Sequence, residues 1–250
     1  MLFLIGLGIS EGEISLNGLN KIKESDEIFL EQYTTPISDK YIEFIESQGK
    51  KVTKIKRSDL EENAKEILSK AVEKNISVLV PGDPLIATTH HILFLIAKNL
   101  KLKIMVFHSS SIYSAAIGES RLDLYKFGPT TTITKWTEKY KPTSFINVIE
   151  KNLKNNLHTL VLFDIINNGE RTLTIQESFK IIKEASVGSK VDLTQKKMLL
   201  ICDLGSSNQR IFYKKLDELN NLETKQYRKL CMIIPGELSF AEAELIEEFS

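Results

Sequence analysis

The chain has 250 residues and carries 33 Lys+Arg against 33 Asp+Glu, a formal net charge of zero. That length suits one large domain or two small ones, and the charge balance speaks against a dedicated nucleic-acid binder, which carries a basic excess or stripe. The longest apolar stretch in a helix-like segment, Ile92 to Ala97, is far below the ~18 residues of a membrane span, and no basic region precedes the N-terminal strand to suggest a signal peptide.

Strand-like and helix-like segments alternate from the N-terminus. Strands are expected at 2–7, 27–31, 51–55, 76–80 and 103–107, with helices from near Ser15 and over 39–48, 58–74 and 88–100. In the 58–74 helix, Ser58 and Glu61 suggest a capping box, and Leu60, Ala64, Ile67, Leu68 and Ala71 share one face. Such alternation implies a parallel sheet covered on both faces. The 88–100 helix is apolar nearly all round, so it is expected to be buried, and a second subunit is one way to cover it.

Two turns carry the chemistry of this half. The first strand runs into Gly6-Leu7-Gly8, which suggests close backbone approach to a cofactor. A nicotinamide dinucleotide is one option, with Glu31 placed as the ribose-binding acid. The third glycine is missing, however, and Glu11 and Glu13 put negative charge where a pyrophosphate would sit. A positively charged cofactor without phosphate suits the turn better. The second turn, Pro81-Gly82-Asp83-Pro84, ends a buried strand and is expected to expose the Asp83 carboxylate at the strand's carboxyl end, where open α/β sheets bind ligands.

Ser109-Ser110-Ser111 then reads as a turn and N-cap joining the halves near residue 112. In the second half, strands fit 130–134, 158–163, 198–204 and 230–234, with a short one around 211–213. Helices fit 143–154, 174–185 and 239–248, the last two opening with capping boxes Thr174/Glu177 and Ser239/Glu242. The expected architecture is two α/β domains, 1–112 and 113–250. Catalytic side chains are scarce. Cys202 and Cys231 form neither metal spacing nor a disulfide framework, which suits a reducing cytoplasm, and His90 and His91 diverge on a helix. No metal is expected, and a site of one acid, glycine turns and serine donors suits a reaction whose reactive group sits on the cofactor.

Residues along nearly the whole chain resemble the diphthine synthases, within the tetrapyrrole-methylase-like group of S-adenosylmethionine-dependent methyltransferases. The landmarks are Leu4-Ile-Gly-Leu-Gly8, Leu30-Glu-Gln-Tyr-Thr34, Pro81-Gly-Asp-Pro-Leu-Ile-Ala-Thr-Thr-His90, Ser111-Ile-Tyr-Ser-Ala-Ala116, Leu124-Tyr-Lys-Phe-Gly128, Leu204-Gly-Ser206 and Ile234-Pro-Gly236. The resemblance implies a parallel sheet in the first domain, a mixed sheet in the second, and S-adenosylmethionine in the cleft between them, leaving as S-adenosylhomocysteine. It implies cofactor contacts from Ile9, Asp83, Ile86, Ser111, Ile112, Phe163, Cys202 and Cys231, with no catalytic base assigned. It also implies a cytoplasmic homodimer that trimethylates the amino group of a 3-carboxy-3-aminopropyl-histidine on translation elongation factor 2, giving diphthine.

Six positions depart from that pattern. Arg121 stands where Gly is usual and Asp123 where Gln is, Tyr140 replaces Trp, Ile166 Lys, Asp203 Arg, and Cys231 His. Losing Arg and Lys while gaining Asp123 and Asp203 is expected to weaken attraction for a substrate carboxylate. Two alternatives stay open: a methylase of the same fold acting on a tetrapyrrole or on ribosomal RNA, and a cofactor-binding protein that has lost turnover.

Overall fold

A computed structural model describes residues 1–48, 50–189 and 191–250, with Asn168 described by its backbone alone. The chain divides into two units, Met1–Ile112 with Asn167–Glu170, and Tyr113–Ile166 with Arg171–Ser250. Among the described residues no helix is long and apolar enough to cross a membrane.

The first unit runs β1 (Leu2–Gly6), α1 (Leu16–Glu24), β2 (Glu27–Glu31), α2 (Asp39–Ser47), β3 (Val52–Ile55), α3 (Arg57–Glu61), α4 (Ala64–Lys70), β4 (Ile76–Val80), α5 (His91–Asn99) and β5 (Ile104–Phe107). Its sheet is parallel throughout, in the order β3-β2-β4-β1-β5. Successive side chains of a strand point to opposite faces, so the apolar runs feed two cores. Leu2, Leu4, Val78 and Val80 pack with Leu60, Ile67, Leu68 and Leu93 of α3, α4 and α5. Phe3, Ile5 and Leu79 pack with Ile22 of α1 and Ile42 and Ile45 of α2. Each fully buried Leu or Ile contributes about 1.5–3 kcal/mol relative to an exposed one, which makes β1 and β4 the firmest part of this unit.

One expectation needs correction here. The 58–74 helix is two short ones, because at Glu62 and Asn63 both backbone N–H groups turn back to the Ser58 carbonyl. The restart at Ala64 lets Ala64, Ile67 and Leu68 all face the sheet. The helix begins earlier than Ser58, and the acid at its start is Asp59, whose Oδ2 accepts from Lys56 N–H at 2.8 Å. In the single chain α5 is covered on one side only. Leu93 and Ala97 pack inward, whereas Ile92, Phe94 and Leu95 are 39%, 38% and 61% exposed.

The second unit holds α6 (Ile112–Glu119, its first residue closing the first unit), β6 (Thr131–Ile133), α7 (Ser144–Lys154), β7 (Thr159–Phe163), β8 (Ile165–Ile166), β9 (Arg171–Thr172), α8 (Ile175–Ala185), β10 (Lys197–Cys202), β11 (Arg210–Lys215), α9 (Leu216–Asn220), β12 (Leu230–Ile234) and α10 (Phe240–Ile246). The sheet order is β11-β10-β12-β7-β6, with β6 parallel to β7 and every other pair antiparallel. Phe145 and Ile149 of α7, Ile175 and Ile182 of α8, and Leu216 and Leu219 of α9 cover one face. Both expected capping boxes form, Thr174 with Glu177 and Ser239 with Glu242.

Glu242 does more than cap. Its Oε1 accepts from His158 Nε2 at 2.9 Å and Asp123 N–H at 3.0 Å, and its Oε2 accepts from Lys126 Nζ at 2.5 Å and Ser239 N–H at 2.8 Å. His158 Nδ1 accepts from Gly236 N–H at 2.9 Å, which leaves the ring proton on Nε2. Burial alone would raise the Glu242 carboxyl, but these donors outweigh it and hold it well below the usual range. A depressed carboxylate adds stability above its unfolded pKa and loses it as pH falls through the folded one. Glu242→Gln should therefore cost about 3 kcal/mol at pH 7 in urea denaturation, with the gap closing as the medium is acidified. Identical midpoints at pH 7 would show that this hub contributes nothing.

Candidate cofactor site at the glycine turns

Beyond the ends of β1 and β4 the two glycine turns pair with each other. Gly8 N–H donates to Gly82 O at 3.2 Å and Gly82 N–H to Gly8 O at 2.8 Å, an antiparallel bridge placed on top of parallel strands. Reversing the chain direction so abruptly takes left-handed backbone, with φ 79° at Gly8 and 80° at Gly82. Gly6 is needed for closeness, since a Cβ there would lie 2.8 Å from Gly82 O. At Gly82 an added Cβ would meet nothing within 4 Å, so this backbone faces open space beside Asp83.

Glu13 fills the first turn. Its Oε2 accepts from Ile9 N–H at 2.9 Å and from the Ser110 hydroxyl, and its Oε1 accepts from Ser10 Oγ at 2.6 Å. Ile9 N–H is shared with Ser110 Oγ at 3.0 Å, and Ser109 Oγ donates to Glu13 O at 2.8 Å. Burial pushes the Glu13 carboxyl up, but the Ser10, Ser110 and Ile9 donors more than compensate and hold it below the usual range. The backbone donor that a dinucleotide's pyrophosphate would need is thus already bound to a carboxylate.

Asp83 is not the exposed carboxylate expected from the sequence; it is 5% exposed. Oδ1 accepts from Leu85 N–H at 2.9 Å, a turn closed by its own side chain, and Oδ2 accepts from His108 Nδ1 at 2.8 Å and Ser109 N–H at 3.3 Å. Because β4, β1 and β5 are neighbours, their carboxyl ends bring Asp83, Ile9 and the serines together. Ser111 is buried and Ile112 half-buried at the start of α6, and Ile86 stands out on the loop, 42% exposed. Glu13, His108 and Ser109 were not among the expected contacts; the sequence signal for Glu13 was its charge against the glycines.

The remaining three expected contacts lie in the second unit and share one sheet end. Phe163 and Cys202 close β7 and β10, and Cys231 is the second residue of β12 between them, in register with Leu162 and Ile201. Both thiols are buried and pushed up by that burial, Cys231 to about 12, so at neutral pH neither is a nucleophile and only their backbone can serve a ligand.

The departures have local explanations. Arg121, at φ 65°, sits in the left-handed region where Gly is easiest, a strain of ~1–2 kcal/mol, and its guanidinium lies 5.9 Å over the Phe249 ring. Asp203 does not present its charge outward: Oδ1 accepts from Arg228 and Lys229 N–H at 2.9 and 2.8 Å. Its carboxylate latches this turn. Asp123 caps the turn at Tyr125, Ile166 is buried in β8, and Tyr140 is exposed.

A second group of titratable side chains lies at the carboxyl end of β2. Glu31 is fully buried and accepts from the Thr34 hydroxyl and from Tyr33 N–H at 3.3 Å. Tyr33 Oη meets His90 Nε2 at 3.3 Å, and His90 Nδ1 meets Pro84 O at 2.9 Å. A carbonyl only accepts, so Nδ1 carries the proton and Nε2 accepts from Tyr33. Burial holds the His90 pKa below its ordinary value and raises Glu31 to about 7. Among the described residues no three His, Cys, Asp or Glu side chains form a metal-holding group.

The two left-handed glycines of the first turn make a direct comparison possible. At Gly12 (φ 90°) an added Cβ meets nothing within 4 Å, whereas at Gly8 it would lie 2.3 Å from Glu13 Cβ. Gly12→Ala should cost only the backbone strain, about 1–2 kcal/mol. Gly8→Ala should cost roughly 1–3 kcal/mol more through overpacking and expel Glu13 from the turn. Equal thermal shifts for the two variants would contradict this arrangement.

Comparison with known proteins bears on what such a site serves. The family model described as Tetrapyrrole (Corrin/Porphyrin) Methylases matches residues 1–220. The diphthine synthase of Methanocaldococcus jannaschii is 36% identical over 253 residues, covering 99% of this chain and 98% of the relative. That of Methanothermobacter thermautotrophicus is 34% identical, covering 100% and 96%. A crystal structure of diphthine synthase superposes with a TM-score of 0.89 at 30% identity, covering 100% of this chain and 95% of that one. The chain belongs to the tetrapyrrole methylase family, among its diphthine synthases, and is a methyltransferase of diphthamide biosynthesis.

Proposed function

We propose that the protein transfers methyl groups from S-adenosylmethionine to the amino group of a 3-carboxy-3-aminopropyl-histidine on translation elongation factor 2, three in succession, to give diphthine. The observation that carries this choice of cofactor is the Glu13 carboxylate seated in the glycine turn. A turn so filled has no room for pyrophosphate, and with Asp83 beside it the lining favours a cation. S-adenosylmethionine is such a cation, and when bound it supplies a methyl group activated by its sulfonium.

Ile9, Asp83, Ile86, Ser111 and Ile112 of the first unit would hold it. Asp83 serves by fixing the loop on His108, Ser109 and Leu85, which sets the open Gly82 backbone in place. The residues chiefly align amine and methyl, an effect that contributes ~7–11 kcal/mol when the geometry is good. The test is mass spectrometry of elongation factor 2 bearing the aminopropyl-histidine, incubated with the protein and labelled S-adenosylmethionine. Up to three labelled methyl groups on that nitrogen are expected, and an unmodified substrate would refute the proposal.

The homodimer belongs to the same proposal. Ile92, Phe94 and Leu95 give α5 an apolar outer face in the single chain, and an isologous pairing would cover it. Because Phe94 is partly exposed, Phe94→Glu should leave a folded monomer by light scattering and circular dichroism. A wild type that is itself monomeric at micromolar concentration would exclude the dimer.

A further inference from the structure

The groups around Glu31 are not among the donor contacts proposed above, yet they stand at the ligand end of the sheet. Glu31 ends β2 next to β4, the strand that leads into Pro81-Gly82-Asp83. The Tyr33–His90–Pro84 hydrogen bonds fasten the turn after Glu31 to that same loop. A fully buried carboxylate is costly unless a cation pairs with it. Among the described residues none does. Arg57, whose charge acts weakly on it, bonds Glu61 at 3.1 Å and lies 5.7 Å over the Tyr33 ring. The other charged or titratable groups around this turn are Asp59 and Glu61 on the α3 side and Tyr33, with His90 held neutral. Among the described residues, the hydroxyl bonded to the Glu31 carboxyl is that of Thr34, which is itself half-buried rather than enclosed.

We propose that Glu31, acting through the Thr34 hydroxyl, accepts the proton that the substrate amine must lose before each methyl transfer. This rests on the methyltransferase function proposed above. At neutral pH an alkylamine is mostly ammonium and has no lone pair to attack with. Its proton passes to Thr34 Oγ1 while the Thr34 hydroxyl proton passes to Glu31. The freed lone pair then forms the N–C bond as the C–S bond breaks, its electrons staying on sulfur. The methylated ammonium carries one N–H fewer. Glu31 returns its proton through Thr34 to water before the next round, and the sequence ends when no N–H remains. Burial keeps the Glu31 carboxyl at about 7 against the pull of its Thr34 and Tyr33 hydrogen bonds, so it both takes and releases a proton near neutrality.

The experiment is single-turnover methyl transfer to elongation factor 2 across pH, with wild type, Glu31→Gln and Thr34→Val, each checked by circular dichroism and for S-adenosylmethionine binding. Wild type should show a rising limb centred near pH 7. Both variants should lose that limb, run ~100-fold slower at pH 7, and recover only at higher pH where the amine deprotonates unaided. If Glu31→Gln does not fold, Thr34→Val, which keeps the buried acid, decides alone. Variants that keep the limb, or fall by one factor at every pH, would show that Glu31 merely caps its turn. A wild type that transfers no methyl group would overturn the parent proposal and this one with it, an outcome distinct from an active wild type with unaltered variants.

Discussion

Everything at the ligand end of the first unit depends on two peptide groups that face each other across Gly8 and Gly82. Parallel strands cannot be closed by a hairpin, so their carboxyl ends normally diverge into separate loops. Here the two loops are bonded to each other, and the cost is left-handed backbone at both positions. Glycine is the residue that tolerates this conformation without steric penalty. Once the bridge is made, the remaining contacts follow in order. Gly6 lets the backbones approach, Glu13 folds over Gly8, the serines reach both, and Asp83 closes its own turn against His108.

Three acids, Glu242 and Glu31 buried and Glu13 half-buried, differ in how many donors reach them, and that difference sorts their tasks. Glu242 collects four donors and Glu13 three, and both are held ionised below the usual carboxylate range. Glu31 has two donors and, among the described residues, no paired cation, and burial wins. The linkage signs are opposite. The depressed acids stabilise the fold above their unfolded pKa. Glu31 favours it most below about pH 4.5 and loses that contribution as pH rises through about 7.

Much of the fold was legible from apolar runs and punctuation. The strands of the first unit run out where glycine, proline, histidine or charged residues begin, and Thr174/Glu177 and Ser239/Glu242 mark helix starts that the structure keeps. The break at Asn63 was hidden because the periodicity of Leu60, Ala64, Ile67 and Leu68 survives it, both pieces facing the same core. β8 and β9 are two residues each, too short to show any period, and are set by left-handed Asn167 and Gly169. At the site, composition pointed to Asp83 and the glycine turns but not to their contacts. Whether a loop carboxylate faces water or its own backbone depends on which N–H groups lie within 3 Å, a tertiary fact. Asp203 turned inward for the same reason.

The carboxylate in the first glycine turn also has a competitive meaning. Tied to the turn by a few residues of ordered chain, Glu13 is an intramolecular ligand, and short tethers of this kind act at effective concentrations on the order of millimolar or above. A diffusing nucleotide must displace it before touching the Ile9 N–H, and Ser10 and Ser110 hold it there. The turn keeps the backbone shape of a phosphate cradle while carrying its own permanent occupant. Cellular nucleotides therefore face an inhibitor of their binding that is synthesised with the chain and cannot be diluted away.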